Sequence, residues 1–171
     1  MKILSNKILT VFAMTAFLLM SVQAYASGGK ISGSGLLTYI KQEALPITEA
    51  KGNILLLGEL HGTNKNTGTT DYMEGADVVN REIVQLFQGI GPHSGYCTLS
   101  KDGNTVTALW KGQVTTTMAS DGTPQTSFKG TWQYVAGTGK FNSIKGNGEY
   151  HGHFTAKTSY EVDWSGEYEL K

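Results

Sequence analysis

The stretch Tyr160-Glu161-Val162-Asp163-Trp164-Ser165-Gly166-Glu167-Tyr168-Glu169-Leu170 decides how the chain is read. Tyr160, Val162, Trp164, Tyr168 and Leu170 occupy every second position with Gly166 in the same row, and Glu161, Asp163, Ser165, Glu167 and Glu169 fill the other. Side chains alternate between faces along a strand, so this pattern predicts a strand with one buried and one wet face. The same period runs through 125–135, where Phe128, Gly130, Trp132 and Tyr134 alternate with Ser127, Lys129, Thr131 and Gln133.

Working outward, nearly every segment reads as a short strand bounded by glycine-containing turns. Strands are predicted at about residues 36–42, 53–61, 78–88, 95–100, 105–119, 125–135, 148–158 and 160–170. Asp102-Gly103 supplies the positive φ of a tight hairpin, and Ser120-Asp121-Gly122-Thr123-Pro124 turns the next one. Val78 to Phe87 is ambiguous. Val79, Ile83 and Leu86 fit a helical stripe, whereas Val79, Arg81, Ile83, Gln85 and Phe87 fit one strand face, and the β-branched content favours the strand. The polar run Gly62 to Thr70 reads as a mobile, solvated loop. Eight strands joined by short turns close most economically into an antiparallel barrel, which removes exposed edges. Strand glycines (Gly112, Gly130, Gly152, Gly166) suit its curvature, although a two-sheet sandwich uses the same strands.

Upstream, Lys2 and Lys7 precede the apolar run Ile8 to Met20 and Ala24-Tyr25-Ala26, the pattern of a signal peptide cleaved after Ala26. The run has 13 residues, short of the ~20 of a membrane helix, so no membrane span is expected after cleavage. The organisation is then 1–26 signal peptide, 27–35 flexible Gly/Ser leader and 36–171 one β-barrel domain. Cys97, the single cysteine, can form no internal disulfide, which fits a bacterial periplasmic or secreted protein and reads as a small buried residue. The whole chain carries 14 basic and 14 acidic residues, so no field of one sign supports nucleic-acid binding.

The segment Phe128 to Phe154 contains Gly137-Thr138-Gly139-x-Phe141 followed by Gly146-x-Gly148. This glycine pattern resembles that of allene oxide cyclases and plant dirigent proteins, and of small exported bacterial proteins of unassigned role. The resemblance covers about 30 residues. It implies an eight-stranded barrel of calycin-like shape that holds an apolar small molecule at its mouth, often within a homotrimer. It also implies steering of the folding or coupling of a reactive substrate, or an isomerase or cyclase activity, without a cofactor. The catalytic residues of the plant enzymes have no match here, so none is named.

Aromatic residues on strand faces, Trp110, Trp132, Tyr134, Trp164 and Tyr168, are the candidate ligand-binding lining. Glu149, His151 and His153 share a strand face, and the two imidazoles could share a zinc or copper ion with Glu149, His61 or His93 as a third ligand. The alternative is a wet outer face, and no tight metal site is expected. The cupin pattern also opens with His-x-His but expects an acid soon after, where Phe154-Thr155-Ala156-Lys157 stand. His61 reads as a surface residue at a strand end and His93 as a loop residue. No Gly-x-Ser-x-Gly elbow occurs, which disfavours a hydrolase. Three function classes follow: a barrel binding an apolar small molecule, a metal-binding envelope protein using His151 and His153, and a pocketless barrel acting through its surface.

Overall fold

The computed structural model describes residues 27–171. The expected signal peptide and its cleavage site lie outside the described residues. Eight strands, β1 (Gly28–Pro46), β2 (Ile54–Asn66), β3 (Asp77–Leu86), β4 (Ile90–Lys101), β5 (Asn104–Met118), β6 (Pro124–Gly137), β7 (Lys145–Ala156) and β8 (Ser159–Glu169), form one closed antiparallel barrel in chain order. Closure is made by β1 and β8, paired from Gly28↔Glu169 to Thr38↔Ser159, so the sandwich alternative does not apply. No helix among the described residues is long and apolar enough to cross a membrane.

The expected leader 27–35 is instead the first half of β1. Its backbone pairs with β8 from Gly28 and with β2 from Gly33, because a barrel without this segment would leave two edges unpaired. The β4–β5 turn is the predicted hairpin, with φ of 50° at Asp102 and 74° at Gly103. Val78 to Phe87 forms a strand, but the row Val79, Arg81, Ile83, Gln85 and Phe87 is the outer one. Val78, Asn80, Glu82 and Val84 are the buried row.

The two ends differ. One carries the connections 47–53, 87–89, 119–123 and 157–158; the other carries 67–76, the Asp102-Gly103 turn and a short 3-10 turn, Gly139–Phe141. Of the polar run Gly62 to Thr70, residues 62–66 belong to β2 and 67–70 form an exposed loop as expected, and it is the segment after this run that closes the second end. β2 extends to Asn66, and the following segment folds inward to bury Tyr72, Met73 and Ala76 against Phe141 and Ile144. Asn64 fixes it by donating Nδ2 to the Met73 carbonyl at 2.9 Å, while its backbone N–H donates to the Ala76 carbonyl at 2.9 Å. Tyr72 is the anchor, with ring centroids 4.8 Å from Tyr168 and 5.5 Å from Phe141.

Inside the barrel, glycines make room for indoles. A Cβ on either Gly148 or Gly166 would sit 2.6 Å from Cζ2 of Trp132, so the large ring lies across two backbones that only glycine leaves open. Bulges at Tyr39/Lys41, Thr107/Ala108 and Phe154/Ala156 add the local bending that a small barrel needs.

Candidate functional site

A cavity of about 310 Å³ occupies the barrel interior, at the low end of the ~300–1,000 Å³ range of ligand pockets. It extends to Gln42, Ile54, Leu86, Thr116, Thr126 and Phe154, at the end opposite the Tyr72 plug, so this is its mouth. Leu45, Ile47, Phe87, Ile90 and Met118 are exposed around the same end.

Trp110, Trp132, Tyr134 and Trp164 line the cavity, but Tyr168 does not; it packs beneath Tyr72. The polar atoms of the lining aromatics are held by the protein. Trp110 Nε1 donates to Asn80 Oδ1 at 2.8 Å, Trp164 Nε1 to Asn64 Oδ1 at 3.2 Å, and Trp132 Nε1 to the Glu149 carbonyl at 3.3 Å. Tyr72 OH donates to Tyr134 OH at 2.8 Å. Fixed rings make a preformed wall, since rotating any of them would orphan a buried donor.

Midway along the interior sits a polar cluster that the sequence reading missed. Glu82 on β3 is 6% exposed and accepts a hydrogen bond from the Tyr39 hydroxyl of β1. Its neighbour Asn80 accepts from Trp110 and donates Nδ2 to Tyr160 OH at 3.0 Å. His93, expected in a loop, lies within β4, is buried, and makes a 3.0 Å hydrogen bond with Tyr150 OH. Loss of solvent shapes every titration here. Burial raises the Glu82 carboxyl above the usual carboxylate range, against the opposing effect of the Tyr39 hydrogen bond. Burial lowers His93 to about 4 and pushes the Cys97 thiol, also in the cavity wall, up to about 12. Burial, with the nearby Glu82 charge, raises the phenols of Tyr39, Tyr150 and Tyr160. The signal that could have revealed the cluster is Val78-x-Asn80-x-Glu82-x-Val84, a period-2 row as valid as its neighbour, and hydrophobicity does not separate the two rows.

Glu149, His151 and His153 all stand exposed on the outer face of β7, and His151 Nε2 lies 3.7 Å from Asp163 Oδ2. His61 is exposed on β2 beside Glu59, Nε2 to Oε1 3.2 Å, while His93 is enclosed in the barrel, so neither joins the His151/His153 pair as a third ligand. Among the described residues no three His, Cys, Asp or Glu side chains converge to hold an ion.

No family model and no curated protein matches this sequence. Among solved structures, the fold is similar to that of a pterocarpan synthase dirigent protein, at 12% identity over 85% of this chain and 86% of that one, with a TM-score of 0.50. The dirigent-like barrel is therefore the architecture of this chain.

Proposed function

We propose that the chain is an exported barrel that takes one small, largely apolar molecule into its interior and fixes its conformation, in the manner of a dirigent-like steering protein. The observation that carries this reading is the cavity itself, open at one end, plugged at the other and walled by aromatic rings whose polar atoms are already satisfied. Such a wall offers apolar contact without requiring polar groups of the ligand, and the exposed Phe87, Ile90 and Met118 near the mouth suit entry of an apolar guest. Steering needs no cofactor, because a rigid pocket that admits one conformer selects the product by geometry. Export rests on the sequence pattern of 1–26, and intact-mass measurement on protein from its native host should find Ser27 as the first residue.

The test is to fill the cavity. Ala108 is a small buried residue in the wall. Ala108→Phe should keep the far-UV spectrum of the barrel and abolish calorimetric binding of a neutral aromatic probe such as indole. Wild-type protein that binds no such probe, or a variant that binds it equally well, overturns the reading. Self-association into the trimer that the resemblance implies belongs to the same proposal. Leu57, Ile83 and Tyr96 are exposed together on the outer face of β2, β3 and β4, and light scattering would report a monomer if that part is wrong.

A further inference from the structure

The interior is almost uncharged, with one exception. Among the cavity-lining residues there is no lysine or arginine, and Glu82 is the only aspartate or glutamate. A carboxyl group buried in an apolar cavity is costly unless something compensates it. The described protein supplies Glu82 with one donor, the Tyr39 hydroxyl, and with no cation.

The surroundings of Glu82 are rings. Tyr39 of β1 donates its hydroxyl to it, Tyr160 of β8 packs against Tyr39 with ring centroids 6.4 Å apart, and Tyr150 of β7 lines the same cavity. These rings meet their neighbours steeply. Tyr39 and Tyr160 lie at 85°, Trp110 and Tyr150 at 77° with centroids 5.6 Å apart, and Phe128 and Tyr160 at 72° with centroids 4.9 Å apart. These edge-to-face pairs fix the rings of the wall, and an aromatic wall attracts a cation seated over a ring. A lone carboxylate in a cavity walled by aromatic rings complements an organic ammonium group. An anionic ligand finds no counter-charge there, and a neutral one leaves the acid uncompensated.

We propose that the cavity selects a protonated amine carried on an aromatic or other apolar body, with Glu82 as its counter-ion and the surrounding rings as its cage. This rests on the pocket reading and names the ligand class for it. The other titratable groups in the cavity wall are Tyr39, His93, Cys97, Tyr134, Tyr150 and Tyr160, none of which carries positive charge at neutral pH, so the ammonium meets no repulsion. Binding to protonated Glu82 must expel its proton, which makes amine affinity rise with pH in the range where Glu82 titrates.

Calorimetric titration with four probes of one ring system tests this: indole, tryptophol, tryptamine and indole-3-acetate. A charge-assisted hydrogen bond predicts tryptamine about tenfold or more tighter than tryptophol at pH 8. Indole-3-acetate should be the weakest. Glu82→Gln should remove the tryptamine advantage and leave tryptophol within about twofold, as expected where only the charge is lost. Should that variant fail to fold, the wild-type pH series replaces it: tryptamine affinity should rise with pH from about 5 to 8, across and above the usual carboxylate range, while tryptophol affinity stays flat. Tryptophol equal to or better than tryptamine, a flat tryptamine profile, or an amine preference surviving in Glu82→Gln overturns the proposal. If indole and tryptophol bind while tryptamine has no advantage, the ligand class is wrong and the pocket reading stands. If none of the four binds, both fall.

Discussion

His93 Nε2 and the hydroxyl oxygen of Tyr150 lie 3.0 Å apart inside the barrel, joining β4 to β7 across its interior. The imidazole also packs against Trp110, centroids 4.8 Å apart, and Phe128, 5.6 Å. It is therefore a core residue with a hydrogen-bonding partner, held neutral by its surroundings.

That neutrality predicts an acid-sensitive fold. Burial lowers His93 from its ordinary value of 6.5 to about 4 in the folded protein, so the unfolded chain binds the extra proton between these pH values. Stability from this group is fully present above 6.5 and is lost as pH falls toward 4, by up to about 3 kcal/mol. Glu82 has the opposite sign: its folded value is raised, so its effect is fully favourable below the usual carboxylate value and fades as pH rises through the folded one. Denaturation midpoints measured across pH should show a shallower acid limb in His93→Gln and a smaller loss toward neutral pH in Glu82→Gln. Unchanged limbs would show that neither group is shielded as described.

Gly148→Ala and Gly166→Ala should each destabilise the barrel by about 1–3 kcal/mol, the usual cost of overpacking. Each methyl would meet Trp132 and, closer still, a carbonyl oxygen of the paired strand, that of Ser165 for Gly148 and that of Asn147 for Gly166. Because both press on one ring, the double variant should lose less than the sum of the two. Additive losses in urea titrations would mean that the ring is not the shared obstacle.

Tyr72→Phe should cost about 1 kcal/mol, the loss of the hydrogen bond to Tyr134. Tyr72→Ala should cost about 3–5 kcal/mol, since the buried ring joins four aromatic neighbours, Tyr134, Phe141, Trp164 and Tyr168. Hydrogen exchange should then quicken first at Asn64, Gly75 and Ala76, whose backbone amides anchor or belong to the plug.

Cys97 should resist alkylation. Its thiol is pushed up to about 12 by burial, so the reactive thiolate is scarce at pH 8. Iodoacetamide labelling followed by mass should be far slower in native than in urea-unfolded protein, and slower still with a bound ligand, because Cys97 faces the cavity. Labelling at equal rates would place the thiol outside.

Untagged protein should hold no stoichiometric zinc or copper. His151 and His153 are exposed on one strand face, and no third ligand converges on them among the described residues. About one metal per chain by elemental analysis, lost in the His151→Ala, His153→Ala double variant, would make the metal-binding reading the leading one.

The barrel was legible in the chain because strand periodicity is local. Tyr160 to Leu170 and Gln125 to Val135 show their inner rows without any knowledge of neighbours, and Asp102-Gly103 marks its own turn. Which of two rows faces inward on β3 was not local. Val79 and Ile83 are as apolar as Val78 and Val84, and only the pairing of Glu82 with Gly95 and of Val84 with His93 fixes the choice. That choice carries Glu82 and Asn80 into the cavity, where their partners Tyr39, Trp110 and Tyr160 come from β1, β5 and β8. His93 likewise looked like a loop residue after Pro92 until β4 was paired on both sides. The polar run after Gly62 reads as solvated because polar side chains are usually wet; tertiary contacts bury Asn64 by satisfying its amide. Sequence thus determined the strands and four of the five expected aromatics of the wall, while the pairing of β1 with β8 decided closure over a sandwich. The buried acid, the enclosed imidazole and the plug were decided by strand register and by hydrogen-bond partners far away in the chain.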